Sequence, residues 1–189
     1  MTIIIGLLGP AGSGKSSAAA YLETKYGAKR YALAAPLKEI AKRTLGFTDE
    51  QVYGTQDQKE AVDARYGFSA RWFLQRLGTE GCRAVLGEDV WTDACLRRIN
   101  LDAPRLAVIE DVRFLNENKR IAATGGYVIR LHPPGDAETR TRLTGAGMHA
   151  SEQEWCSGHV HSEYYPHERS LPLLHAFLDD VMHEIGVES

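Results

Sequence analysis

Gly9-Pro10-Ala11-Gly12-Ser13-Gly14-Lys15-Ser16 decides the fold. Its spacing, Gly-x-x-x-x-Gly-Lys-Ser, is that of a phosphate-binding loop. Such a loop needs a strand before it and a helix after it. Upstream, Ile3-Ile4-Ile5-Gly6-Leu7-Leu8 is an apolar, β-branched run of the kind buried in parallel sheets. Downstream, the stretch from Ser16 to Glu23 is rich in helix formers, and Gly27 stands where a helix stop belongs. The competing reading is a glycine-rich turn with a surface lysine. Strand, full spacing and helix in the required order argue against it.

The chemistry follows from that geometry. Gly9, Gly12 and Gly14 let the backbone turn tightly and approach a ligand with no Cβ in the way. Successive N–H groups then face an anion, and the helix N-terminus adds partial positive charge. Gly12, Ser13, Gly14, Lys15, Ser16 and Ser17 are therefore the candidate cradle for the phosphates of ATP. Lys15 is the point charge for the β- and γ-phosphates and a candidate catalytic residue. The Ser16 hydroxyl is a candidate Mg²⁺ ligand.

With 189 residues, a single domain spanning 1–189 is the expectation. A composition 43% hydrophobic and 25% charged is that of a soluble globular protein. The net charge of −3 argues against bulk attraction to a nucleic acid polymer. No apolar run is long enough to cross a membrane, and the short N-terminal run lacks a basic leader. Cys82, Cys95 and Cys156 are odd in number and widely spaced, as in reduced cytoplasmic proteins.

Beyond the first helix, residues 28–34 read as a second strand. Pro36 then opens a helix to about Leu45, and Lys38 lies in its first turn. In an open α/β sheet a strand-to-helix turn of this kind holds ligands; a solvated surface lysine is the alternative. Residues 48–67 read as short helices or a mobile loop. Ser69 is a candidate N-cap for one long α-helix to about Leu86. Arg71, Gln75, Thr79 and Arg83 recur every fourth residue of it and share a face, which could line a phosphate-and-base groove. The alternative is a wet face carrying an Arg76–Glu80 ion pair. A further helix runs from Val90 to Asn100 with Trp91 at its start.

Residues 105–112 read as a central strand with an acidic end. Asp111 stands where a carboxylate holds Mg²⁺ or its waters, and Arg113 follows; a structural Asp111–Arg113 pair is the alternative. Leu115 to Thr124 reads as a helix and residues 127–131 as a strand. Residues 132–155 read as a lid, because glycines flank Arg140 and Arg142; a plain loop is the alternative. Cys156, His159 and His161 lack a fourth ligand for zinc, and an edge strand near Ser157–His161 is preferred. An amphipathic helix from Leu171 to Ile185 closes the chain.

The ordered set of the loop, Ala35-Pro36-Leu37-Lys38, Leu74-Gln75-Arg76-Leu77-Gly78-Thr79-Glu80, Asp111-Val112-Arg113-Phe114 and His149-Ala150-Ser151-Glu152 resembles the phage-type deoxynucleoside monophosphate kinases. The likeness spans nearly the whole chain. It implies an α/β P-loop NTPase fold: a central parallel sheet flanked by helices, an acceptor-binding helical region at about 36–100, and the lid. It implies transfer of the ATP γ-phosphate to a deoxynucleoside monophosphate (dNMP) with Mg²⁺, in the cytoplasm, that of a host if phage-encoded. It places Lys15 and Ser16 at the donor and Asp111 near the metal. Lys38, Arg71, Gln75 and Arg83 fall at the acceptor, and Arg140 and Arg142 match the lid. Thr79, Trp91 and Arg113 complete the candidate acceptor set. Where the family pattern has Asp before Pro-Leu-Lys, this chain has Ala35.

Two other readings stand beside this one. A kinase of another phosphorylated acceptor, such as dephospho-coenzyme A or phosphomevalonate, shares the architecture. A nucleotide-regulated switch is a different class, but no Asn-Lys-x-Asp guanine-reading motif follows a strand. Tyr53, Trp72 and Trp91 are candidates to stack on a base or crowd a 2′-hydroxyl, with core packing the competing role of each. A homodimer is left open.

Overall fold

The computed structural model describes residues 2–135, 155 and 158–188. The chain forms two compact units, one of Met1–Ala32 with Ala94–Ser189 and one of Leu33–Asp93. Elements are numbered along the chain.

The first unit holds β1 (Ile3–Leu8), α1 (Lys15–Tyr26), β2 (Lys29–Tyr31), most of α7 (Val90–Asp102), β5 (Leu106–Val112), α8 (Leu115–Ala123), β6 (Tyr127–Leu131), β7 (Ser162–Tyr164) and α9 (Leu171–Glu184). Its five strands pair in the order β2-β5-β1-β6-β7, all parallel. Alternation along β1 divides its side chains between two faces. Ile5 and Leu7 join Val108, Ile129 and Leu131 under α1 (Ala18, Leu22) and α9 (Leu174, Leu178, Met182) in one buried core. On the other face Gly6 leaves room for α8: a Cβ there would stand 3.2 Å from Ile121 Cδ1.

All strands being parallel, the loop after β1 and the acidic end of β5 emerge at the same edge, on neighbouring strands. The β1–β5 register is Gly6 opposite Ile109 and then Leu8 opposite Val112. Leu7 therefore faces two residues, Glu110 and Asp111. Such a bulge bends the strand and re-aims a side chain.

Two elements differ from their expected bounds. The second strand is Lys29–Tyr31 rather than 28–34, because Ala34 already takes right-handed helical angles as the cap of the next helix. The edge strand is Ser162–Tyr164, not Ser157–His161. Gly158 has φ +86°, which breaks extension, and the His161 ring accepts the Val128 N–H at 2.9 Å through Nδ1, where a strand carbonyl would otherwise pair.

The second unit holds α2 (Ala35–Leu45), α3 (Asp49–Tyr53), α4 (Gln56–Glu60), the antiparallel pair β3 (Val62–Asp63) and β4 (Phe68–Ser69), α5 (Ala70–Gln75), a π-helical segment (Arg76–Arg83), α6 (Ala84–Leu86) and the first residues of α7. Ala41, Phe47, Val52 and Ala70 form its small core, with Phe68, Phe73 and Leu74 against them. Two capping boxes, Thr48 with Gln51 and Thr55 with Gln58, start the two short helices. Ser69 caps α5 as expected, its Oγ accepting the Trp72 N–H at 3.1 Å.

The long α-helix is not continuous. From Arg76 to Arg83 the backbone is π-helical, a form that recurs at functional sites. Gly78 and Gly81 lower the preference for α-helix there by about 1 kcal/mol each. A Cβ on Gly78 would also stand 2.9 Å from Leu37 Cδ1. The Gly78 carbonyl takes the Trp91 indole N–H at 3.1 Å, an external bond that holds this local geometry.

Candidate active site

The loop between β1 and α1 is built by its glycines. Gly12 (φ +77°) and Gly14 (φ +94°) are left-handed, where a Cβ is strained. Gly9 answers a close approach: a Cβ there would meet the Leu131 carbonyl oxygen at 2.4 Å and Ser13 Oγ at 2.7 Å. Lys15 is buried, its ammonium donating to the carbonyls of Gly9 (2.7 Å) and Pro10 (2.5 Å). Ser16 and Ser17 lie exposed in the first turn of α1.

A cleft of about 260 Å³ opens beside the loop within the same unit. Gly12, Ser13, Gly14 and Ser17 form its polar side. Pro134, Tyr164, Pro166, Leu171 and Leu174 form an apolar wall, and Glu168 and Arg169 complete the lining. It can take a phosphate chain at one side and a flat apolar ring at the other.

At the end of β5 the two carboxylates part ways. Glu110 is bound by Arg30, at 2.5 Å from Nη2 and 3.1 Å from Nε. Asp111 is half-buried. Burial pushes the Cys95 thiol up to about 12, and the Asp111 charge adds to that. Cys95 is thus an inert thiol. The turn that follows is clamped by Glu117, a buried carboxylate accepting the backbone N–H groups of Arg113 (2.8 Å) and Phe114 (3.0 Å). Asn118 beside it donates to the His159 carbonyl at 2.9 Å.

A second buried group lies along β6 and β7. The Arg130 guanidinium donates to the carbonyls of Trp155 (3.1 Å) and Gly158 (2.7 Å) and pairs with Glu163. His132 contacts the same carboxylate at 3.3 Å and stacks on Tyr165. These bonds fasten residues 155 and 158 to the sheet. No motif in the sequence singles out Glu117 or Arg130. Their signal is a charge at an otherwise apolar or helix-starting position.

In the second unit, Lys38 is half-buried in the first turn of α2 with its ammonium 4.5 Å from the Tyr53 ring centre. Arg71 donates to Gln56 Oε1 at 3.2 Å and lies 3.6 Å from Glu60 Oε1. Gln75 ends α5, and Thr79 and the buried Arg83 lie in the π segment, so the four-residue stripe crosses two kinds of helix. The Arg76–Glu80 pair also forms. Trp91 commits its N–H to Gly78, while Trp72 stays exposed under the Arg76 guanidinium. Arg140 and Arg142, and most of the lid region, lie outside the described residues.

No protein-family model matches the chain. A deoxynucleotide monophosphate kinase of Acanthamoeba polyphaga mimivirus is 38% identical over 151 residues, covering 74% of this chain and 78% of the viral protein. The chain belongs to the deoxynucleotide monophosphate kinase family. The deoxynucleoside-5′-monophosphate kinase of Escherichia phage T5 is 27% identical, over 66% of this chain and 73% of its own length. TT1252 from Thermus thermophilus, a crystal structure 21% identical, superposes with a TM-score of 0.52 over 97% of this chain and 98% of its own. The kinase is thus an enzyme of the phosphotransferase class on a P-loop α/β fold.

The residues at the sheet edge fit a magnesium ion in their chemistry. A hydroxyl and a carboxylate are hard oxygen donors, and Mg²⁺ keeps several waters beside one or two such ligands. Adjacent strands deliver Ser16 and Asp111 to one edge. Among the described residues no three His, Cys, Asp or Glu side chains gather into a metal cluster. His161 already spends Nδ1 on a backbone N–H, which leaves it poorly disposed toward zinc. Among the same residues, no helix is long and apolar enough to cross a membrane.

Proposed function

We propose that this kinase transfers the γ-phosphate of ATP to a deoxynucleoside monophosphate, giving ADP and the deoxynucleoside diphosphate. The observation that carries the reading is the glycine-built loop with its buried lysine, in a chain of this family. The dNMP is the finer part of the proposal. It rests on what the viral relatives are named for, and on the basic helical face of the second unit.

The roles divide by unit. The loop amides of Gly12 to Ser17 bind the donor phosphates, and the Lys15 ammonium leaves its carbonyl partners for the β- and γ-oxygens. Ser16 and Asp111 would hold Mg²⁺, which neutralises charge developing on the phosphates. Glu117 keeps the turn after Asp111 in one conformation, and Arg113 belongs to the acceptor set. In the second unit Arg71, Gln75, Thr79 and Arg83 hold the acceptor phosphate, with Lys38 beside Tyr53. Trp91, also of the acceptor set, supports that face through the Gly78 carbonyl. Arg140 and Arg142 meet charge on the transferring group, and arginines in that role contribute on the order of 10³–10⁵ in rate. The reaction takes place in the cytoplasm.

The test is ADP release, measured with ATP and Mg²⁺ against ribo- and deoxynucleoside monophosphates and dephospho-coenzyme A. Release that depends on a dNMP is expected. Release that answers only to dephospho-coenzyme A would move the acceptor to another class.

A further inference from the structure

Arg169 stands directly before the cap of α9, where Ser170 Oγ accepts the Leu173 N–H at 3.4 Å. Its Nη2 lies 3.7 Å from the position a Cβ on Gly12 would take. It lines the same cleft as Gly12, Ser13, Gly14 and Ser17. Among the described residues, the Arg169 guanidinium makes no hydrogen bond or ion pair. Lys15 differs, since its ammonium is already held by two loop carbonyls. An arginine is charged at every working pH and presents a planar fork of donors that suits phosphate oxygens. A cation with no partner among the described residues, beside amides shaped for an anion, is poised for a ligand with negative charge.

We infer that Arg169 is a second cation for the phosphate chain of the donor nucleotide, binding it from beside Gly12 of the loop. The inference rests on the reading of the loop as the ATP site. It assigns to the chain after β7 a charge that the loop motif does not contain. Glu168 shares that wall, so the guanidinium also offsets a carboxylate that would otherwise repel the phosphates.

The test is calorimetric binding of ATP, ADP and adenosine to the wild type, Arg169→Ala, Arg169→Lys and Lys15→Ala. Loss of a charge-assisted contact should weaken ATP and ADP binding by about tenfold to a hundredfold in Arg169→Ala. Adenosine affinity should not change, and Arg169→Lys should recover part of the loss, having the charge without the fork. An equal loss with adenosine would overturn the inference by placing Arg169 on the base. Unchanged affinity for all three ligands would overturn it by making Arg169 a solvated surface residue. Failure of the underlying reading has a different signature: wild type that does not bind ATP, or binding untouched by Lys15→Ala.

Discussion

Lys15 has a ligand to hold and no core to support. Its ammonium rests on the carbonyls of Gly9 and Pro10, oxygens that water can also serve. Lys15→Ala should therefore lower turnover by at least about 10²–10³, as loss of a preorganised donor does, while cooperative unfolding persists. Near-normal turnover in that variant would remove the lysine from the chemistry. Gly9→Ala makes the opposite demand, on the backbone. Its methyl would meet the Leu131 carbonyl at 2.4 Å, so about 1–3 kcal/mol of stability should be lost along with ATP binding, read by thermal melting and calorimetry. At this scale the loop was legible because its function requires residue types at fixed spacing. Glu117 was not, because a carboxylate three residues into a helix reads as a solvated charge until its two backbone partners are seen.

Elements were legible where a single period or cap governs them. β1, β6 and the helix after the loop stand close to their expected bounds because apolar runs and capping glycines set them. The helix through Arg76–Arg83 was not legible as it stands, since a four-residue stripe presumes an α-helix throughout. What decides it is tertiary: Leu37 packed at Gly78, and the Trp91 indole on the Gly78 carbonyl. Trp91→Phe keeps an aromatic side chain and removes that N–H together with the pyrrole part of the indole. It should cost about 0.5–1.5 kcal/mol for the lost hydrogen bond and raise the acceptor KM, with ATP-analogue affinity unchanged. Weakened ATP-analogue binding with an unchanged acceptor KM would instead assign the segment to the donor. Arg71→Ala and Arg83→Ala should show the same split between acceptor and donor, more strongly, since each removes a charge rather than its support.

Across the whole molecule, the first unit is tied together by acidic groups that favour neutral pH. Asp179 of α9 accepts from Lys25, Tyr26 and Tyr21 of α1, and these hold its carboxyl at about 2 against an ordinary 3.8. Asp102 is held at about 2 by Lys29, with Tyr31 and Arg98 adding to it. A depressed carboxyl pKa gives stability that is complete above the unfolded value and is lost as pH falls through the folded one. Melting temperature should therefore fall between about pH 4 and pH 2. Asp179→Asn should melt lower than wild type at pH 7, with the gap closing across that window. A constant gap would show that the hydrogen bonds, not the charge, carry the contact. The parallel sheet and its flanking helices could be read from order and periodicity. The end of the second unit could not, because α7 runs across the boundary without a break in pattern.

The destination of the γ-phosphate defines the reaction. The direct measurement follows ATP labelled in that phosphate, incubated with Mg²⁺, the kinase and each deoxynucleoside monophosphate, with products separated and identified. Label is expected in the β-position of a deoxynucleoside diphosphate, in amounts equal to the ADP formed, and at a rate at least about 10²-fold lower with Lys15→Ala. Label appearing only as inorganic phosphate, at a rate no dNMP alters, would contradict that transfer and leave a nucleotide hydrolase in place of a kinase.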